Sequence, residues 1–558
     1  TADGSVLRAL STDSLHRALT QVRASGAQAC AVCLLFAFVN PVHEQAIAEA
    51  LATLPGLYVS LSSAVQPEFR EYERLSTTVL NAALQPIIAD YLQHMEHELD
   101  RTLPAAAFGI NQSSGGLMSP ERARRFPIRT VLSGPAAGAV GAIHTARQCE
   151  QPEVITLDMG GTSADVALVR QYATGTSFDR EVGGFPVRLP MVDINTVGAG
   201  GGSIAWFDRD GLLKVGPLSA GAAPGPACYM AGGDQPTVTD ANLILGRLSP
   251  AGLLGGAMPL DVAAARRAFA PLAPQLGFTC ERTAHGVLGI VVSNMVRAIR
   301  AISVERGHDP RQFALMPFGG AGPLHASDVA RSLGIRTIIV PHAPGILCAQ
   351  GLVVSDLKED FVHTARTRVD AAHMHQIQDH IEALIAAGEA WCETEHLPSA
   401  QRALQVTLDM RYVGQNFELS VALADALGPS LRQPDAPERL RALFCEAHEM
   451  HYGYHNPDDP VEIMNYRLTA RGQLYRLPEG HTAAAEVAQS PTPVGTRQVY
   501  MTADAAVTTP VYDRTTLLPG HTVTGPAVIE QLDATTLLYP GDTLRVDTTL
   551  NLRIEVLS

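Results

Sequence analysis

The 558-residue sequence has few cysteines, and they are in the wrong places for a disulfide framework. Eight are scattered along the chain, and the one close pair, Cys30 and Cys33, lies in the apolar run 29–36 with no second pair nearby. They read as buried strand thiols rather than a metal clip. No apolar run approaches the roughly 20 residues of a membrane span, and Thr1-Ala2-Asp3-Gly4 does not open a secretory signal. The expected setting is cytoplasmic. Lys and Arg number 41 against 56 Asp and Glu, a net charge of −15, with both signs mixed throughout. That balance argues against a nucleic-acid or anionic-membrane surface. No GxSxG nucleophile elbow occurs. His448 and His451 are three residues apart, not the four of a zinc helix, so even with His455 nearby they make a poor metal group.

What the chain does have is 46% hydrophobic residues and length enough for about three or four domains. Its most informative stretch runs from Val154 to Val169. Two apolar, β-branched runs flank Gly160-Gly161-Thr162-Ser163 and predict a buried β-hairpin with Asp158 at the end of its first strand. Glycines at 160 and 161 permit unusual φ and close approach, so successive N–H groups of the turn can face one concavity and hold phosphate oxygens. Asp158 is placed to bind Mg²⁺ directly or through water, with Thr162 and Asp165 near enough to complete the shell. The plainer alternative is a glycine-rich turn with a solvated Asp; two acids and two hydroxyls between such strands would then be costly decoration. A strand follows the turn, and there is neither a P-loop lysine nor a GxGxxG spacing, which excludes a P-loop and a dinucleotide fold.

Other segments are read in chain order. Residues 7–47 are α/β text, with a helix over 15–25 and a strand around 29–38. Arg70, Glu71, Glu73 and Arg74 of Pro67–Arg74 either face a ligand or form a charged helix entry with an intrahelical ion pair. Ser113-Ser114-Gly115-Gly116 reads as a turn. Residues 133–142 form a helix of small residues suited to close packing. Gly198, Gly200, Gly201 and Gly202 predict an exposed phosphate or substrate loop. Leu288, Val291, Val292, Met295, Ile299 and Ile302 make one apolar helix face. A strand at 313–316, the loop Gly319-Gly320-Ala321-Gly322 and a helix opened by Pro323 place free N–H groups and a positive helix end beside a ligand. His325, in that helix's first turn, either touches the ligand or is a surface histidine. Beyond 360 come a helix to about 395, strands near 405–422 and 461–475, and a helix over 436–452. A polar linker spans 480–495, and a tail of short strands reads as a small β-barrel or sandwich.

The hairpin resembles the second phosphate loop of the actin-like ATPase superfamily. With the 67–82 segment, Val215-Gly216-Pro217, Pro224–Tyr229 and Thr237–Asn242, the match narrows to the hydantoinase A, 5-oxoprolinase and acetone carboxylase family. The resemblance implies an α/β, two-lobed actin-like (ribonuclease H-like) ATPase core followed by a β-rich C-terminal region. The segments expected are 1–150 as the remainder of a first lobe and 151–365 as the second lobe, then an α/β domain over 366–480 and a small β-rich domain over 481–558. Only one Asp-x-Gly-Gly-Thr is present, at 158–162, whereas the superfamily carries another near its start; Thr1 therefore reads as an internal beginning. The small-residue helix matches one that crosses between lobes, and 319–322 the adenosine loop.

The implied ligands are ATP and Mg²⁺. Asp158, Thr162 and Asp165 would be catalytic, with Asp158 on the metal, and Gly160, Gly161, Ser163, Gly200–Gly202 and Gly319–Gly322 would hold the nucleotide. Where many relatives carry His, this chain has Asn195, which leaves Asp193 and Asp240 as weak candidates for a second divalent ion. The implied activity is ATP-dependent opening of a hydantoin, 5-oxoproline or lactam ring, as a subunit of a hetero-oligomer with a B-type (hydantoinase B-like) partner. In such members the ring amide oxygen takes the phosphoryl group before water opens the ring. The alternatives are the ATP-binding subunit of a ketone carboxylase and, from a different class, a non-enzymatic nucleotide switch.

Overall fold

A computed structural model describes residues 1, 3–423, 431–474 and 490–557. Most of the linker expected over 480–495, with the boundary at 480, lies outside these residues. The chain divides into two compact units. One comprises Thr1–Ser133, Thr176–Met191 and Ser355–Tyr475; the other comprises Gly134–Gly175, Val192–Val354 and Arg476–Ser558. The four consecutive segments expected from sequence do not coincide with these units, because the chain passes between them repeatedly.

The second unit is built on a nine-stranded sheet. Its order is Ile194–Val197, Ala164–Arg170, Val154–Met159, Ala314–Phe318, Thr337–Val340, Leu552–Glu555, Thr543–Val546 and Thr522–Thr524, with Ala173–Thr174 beside Ala164–Arg170. The first three strands are antiparallel neighbours, and Ala314–Phe318 runs parallel to both Val154–Met159 and Thr337–Val340. This is an α/β lobe of the actin-like kind. Every residue of Val154–Met159 except Asp158 is buried, as expected of a strand covered on both faces. Cys280–Ile302 covers the sheet through Leu288, Val291, Met295 and Ile299. The longer stretch Cys280–Arg306 is apolar and long enough to cross a membrane by composition, a match that a buried core helix also gives.

The tail departs from a self-contained barrel or sandwich. Gly495–Tyr500, Ala506–Asp513, Ala527–Glu530 and Thr535–Leu538 form a four-stranded sheet. Leu552–Glu555, in contrast, pairs antiparallel with Thr337–Val340 and closes what would be an open apolar edge. Small residues in Ser133–Gln148 serve close packing against Leu347–Val353. A Cβ on Gly141 would lie 2.6 Å from the Leu347 carbonyl, and one on Gly351 would lie 2.0 Å from that of Ala137.

The first unit holds a six-stranded sheet centred on Val461–Gly472, with Met374–Thr394 and Ala436–Tyr452 packed against its core. It also contains the parallel pair Ala29–Val32 and Tyr58–Leu61, and the helix Glu71–Thr102. The 67–74 motif is largely structural. Glu68 is buried and accepts from Arg188 Nε at 2.8 Å, with Arg467 Nη2 at 2.9 Å. Arg74, also buried, donates to the carbonyls of Glu68 and Leu34. His448 is buried with its Nδ1 against the Tyr454 carbonyl, and His455 pairs with Glu449. Among the described residues no group of three His, Cys, Asp or Glu could hold a metal ion.

Candidate active site

The hairpin lies where the sequence puts it, as Val154–Met159 and Ala164–Arg170. Register then makes a row across the sheet: Thr196 opposite Asp165, Asp165 opposite Asp158, and Asp158 beside Phe318. Two carboxylates directly opposite each other repel, and both are half-buried. Burial first, and Asp165 after it, push the Asp158 carboxyl up to about 6, against a weak hydrogen bond from the Cys348 thiol at 3.4 Å. Asp165 is raised mainly by burial as well, although Thr196 Oγ1 donates to it at 2.5 Å. Burial and the neighbouring carboxylate push the Cys348 thiol to about 12, so it stays protonated and donates.

At the hairpin's tip, the Gly160 N–H donates to the Ser163 carbonyl at 3.2 Å and closes the turn. No acceptor among the described residues takes the N–H groups of Gly161, Thr162 or Ser163. Gly160, Gly161 and Thr162 are exposed, and a Cβ built on either glycine would meet nothing within 4 Å. The result is an open turn with free N–H donors next to two carboxylates. Such a donor set suits an anion and a hard cation together.

Two further glycine segments meet this hairpin, in different ways. Gly200, Gly201 and Gly202 are buried, not the exposed loop expected from composition. Their N–H groups donate to Ser203 Oγ, the Gly160 carbonyl and the Gly161 carbonyl at 2.9, 3.0 and 2.6 Å. They buttress the turn from behind and have no donor left for a phosphate. A side chain on Gly200 would stand 2.4 Å from the Thr162 nitrogen, which is why that position is glycine. On the other flank, Gly319 has φ 73°, and a Cβ there would lie 2.5 Å from Asp158 Oδ1. The Ala321 N–H donates to the Met159 carbonyl at 3.0 Å. Gly320 is exposed at the entrance to the helix Gly322–Leu333, where its own Cβ would approach only the Asp533 carbonyl, at 3.5 Å.

Three residues suggested by sequence fall outside this arrangement. His325 is fully buried, not at the surface; its Nε2 is 3.3 Å from Asn242 Nδ2, and burial lowers its pKa to about 4. Asp240 is a buried helix cap, accepting from the Thr237 N–H and hydroxyl and from the Cys228 N–H. Asp193 is ion-paired with Arg306. The two acids are thus engaged by protein donors and not gathered for a second divalent ion. Cys348 and Thr196 are the contributors that sequence reasoning missed. A lone cysteine in Pro344–Gln350 carries no local signal.

The sequence profile of the hydantoinase/oxoprolinase family matches residues 74–361, with its C-terminal domain at 364–554 and its N-terminal region at 1–54. The chain belongs to the hydantoinase/oxoprolinase family. Among relatives of this family member, the caprolactamase subunit alpha of Pseudomonas jessenii is 36% identical over 98% of this chain and 79% of its own length. The acetophenone carboxylase gamma subunit of Aromatoleum aromaticum is 31% identical, covering 98% and 76%. The crystal structure of the ATP-dependent caprolactamase from Pseudomonas jessenii superposes with a TM-score of 0.86 at 34% identity, over 99% of this chain and 80% of that one. A nucleotide-free acetone carboxylase structure, at 24% identity and a TM-score of 0.77 over 100% and 80%, shares the fold.

The raised Asp158 carboxyl has a measurable consequence for this hydantoinase/oxoprolinase chain. Its folded pKa of about 6 exceeds the ordinary 3.8, so the folded state holds the proton more tightly than the unfolded state does. Ionisation therefore costs stability progressively as pH rises from about 4 through about 6. Without nucleotide, Asp158→Asn is expected to be more stable than the unsubstituted protein at pH 7 to 8, with the gap closing towards pH 4. Thermal unfolding across that range checks it; an equal or lower melting temperature for the variant at pH 8 contradicts the assignment.

Proposed function

We propose that this chain is the ATP-binding subunit of an ATP-dependent cyclic-amide hydrolase, acting with a B-type partner subunit. The observation that carries the reading is the open turn Gly160–Ser163, with unspent N–H donors beside Asp158 and Asp165. Kinship with a caprolactamase subunit supports the substrate class. The names "subunit alpha" and "gamma subunit" among relatives support a multi-subunit assembly.

In this reading the N–H groups of Gly161, Thr162 and Ser163 cradle the terminal phosphates. Asp158, with Asp165 and the Thr162 hydroxyl, would hold Mg²⁺, which supplies charge neutralisation on the phosphate oxygens. Gly319–Gly322 borders the adenosine, and Gly200–Gly202 keeps the turn rigid from behind. A lactam or imide carbonyl is a poor electrophile because its amide resonance is strong. Transfer of the terminal phosphoryl group to the ring oxygen, with ADP as the leaving group, removes that resonance. Water then attacks the ring carbon, the C–N bond breaks to give the ring-opened amine and an acyl phosphate, and a second water hydrolyses the acyl phosphate to carboxylate and phosphate. The chain's contribution is positioning and charge stabilisation in the transfer step.

Similarity to an acetophenone carboxylase subunit carries a second reading, phosphoryl activation of a ketone enol and bicarbonate. The two are separated by ATP consumption of the complete complex, supplied with ε-caprolactam, 5-oxoproline or hydantoin, or with a ketone plus bicarbonate. Stimulation by a cyclic amide is expected. A response to ketone only when bicarbonate is present, with none to any cyclic amide, overturns the hydrolase.

A further inference from the structure

Cys348 belongs to none of the motifs that point to the site, yet its Sγ lies 3.4 Å from Asp158 Oδ2 with the thiol as donor. Packing holds the sulfur in place. It fills the space over Gly138, where a Cβ would stand 3.0 Å from it and 2.9 Å from the Phe318 ring. Its helix, Leu347–Val353, is pressed onto Ser133–Gln148 through Gly351 and Gly141, with no room for a side chain at either glycine. On the other side of the carboxylate, the Gly319 backbone occupies the space next to Oδ1. The Asp158 carboxylate is therefore bounded by a glycine at one oxygen and a thiol at the other.

We infer that Cys348 is a positioning residue for Asp158: its S–H holds the carboxylate in one orientation at the end of the strand, and it acts on bound metal–nucleotide only through that carboxylate. The inference rests on the role proposed for Asp158. It assigns a function to a cysteine whose composition suggests simple core filling. The alternative is that the sulfur does no more than fill the gap over Gly138, and the two roles respond oppositely to substitution.

The test uses the complete complex with Cys348→Ser, Cys348→Val and Cys348→Ala. Serine keeps a donor but is smaller; valine fills the space, with one methyl more, and loses the donor; alanine loses both. Kinetics give KM for ATP at saturating Mg²⁺ together with kcat, and calorimetry gives the affinity for ADP with Mg²⁺ and for ADP with the metal chelated. A hydrogen bond from a weak donor to a charged acceptor corresponds to about a fivefold effect. Val and Ala are expected to raise KM and weaken Mg-ADP binding about fivefold. Ser should stay within about twofold, and metal-free ADP should bind all variants alike, which also verifies folding. Normal values for Val with a defect in Ser would overturn the inference in favour of packing, and so would normal values for all three. Failure of the Asp158 assignment is seen separately, as undiminished ATP consumption by Asp158→Asn.

Discussion

Asp158→Asn is expected to lower ATP-driven turnover by about 100-fold or more while leaving the fold intact, by the scale of lost transition-state electrostatics. The substitution preserves shape and can still accept from the Cys348 thiol, so what it removes is the negative charge. That charge is expensive to keep. The residue sits at the end of a strand that is otherwise buried, opposite a second acid, and its carboxyl is pushed to about 6. Burial and a like charge holding a carboxyl above its ordinary pKa are the arrangement by which functional sites tune their acids. The same substitution should raise the stability of the nucleotide-free protein at neutral pH, so loss of activity would come with a gain in melting temperature. Near-normal ATP consumption by the variant would remove Asp158 from the mechanism.

Gly319→Ala is expected to have the next largest effect, a drop in turnover of roughly 10- to 100-fold. The backbone at φ 73° disfavours any side chain there, and the added methyl would lie 2.5 Å from Asp158 Oδ1 and 2.6 Å from the Met159 carbonyl. Either the carboxylate or the loop must move. A loss of several degrees in melting temperature should accompany it. Its neighbour separates fold from ligand. A Cβ at Gly320 has ordinary space beside Asp533, so Gly320→Val should fold normally and weaken nucleotide binding if the adenosine lies against it. Calorimetry decides between them: ATP affinity unchanged by Gly320→Val would place the adenosine elsewhere, and full turnover by Gly319→Ala would show that Asp158 need not stay where it is.

Several elements of both units are legible in the sequence for local reasons. The alternation and β-branching of 154–169 around two glycines specify a hairpin through short-range sterics alone, and the structure has it at Val154–Met159 and Ala164–Arg170. The apolar stripe from Leu288 to Ile302 specifies a buried helix face, since its repeat is that of the helix itself. The helix over 436–452 likewise stands as Ala436–Tyr452.

The differences lie where the outcome depends on partners distant in sequence. A cluster of glycines states that the backbone approaches something closely, but not whether its N–H groups remain free. Only the folded chain shows Gly200–Gly202 spending theirs on Ser203 and the hairpin turn. The sequence offers Asp193 and Asp240 only as weak metal candidates and does not say what engages them. Their separate fates, an ion pair with Arg306 and a helix cap, follow from what packs beside them. His325 stands in the expected turn of the expected helix, but its burial is a property of the core around it.

The sequence by itself determined the hairpin, the glycine positions, the buried helices and the family, because each is written in short-range periodicity or in contiguous motifs. Tertiary structure alone decided that strand Leu552–Glu555 closes the sheet edge at Thr337–Val340, that Cys348 reaches Asp158 from 190 residues away, and that one glycine loop supports the turn while the turn itself stays open. Those outcomes depend on long-range pairing and on which hydrogen-bonding groups are left over once packing is complete, and neither is encoded in any local stretch of the chain.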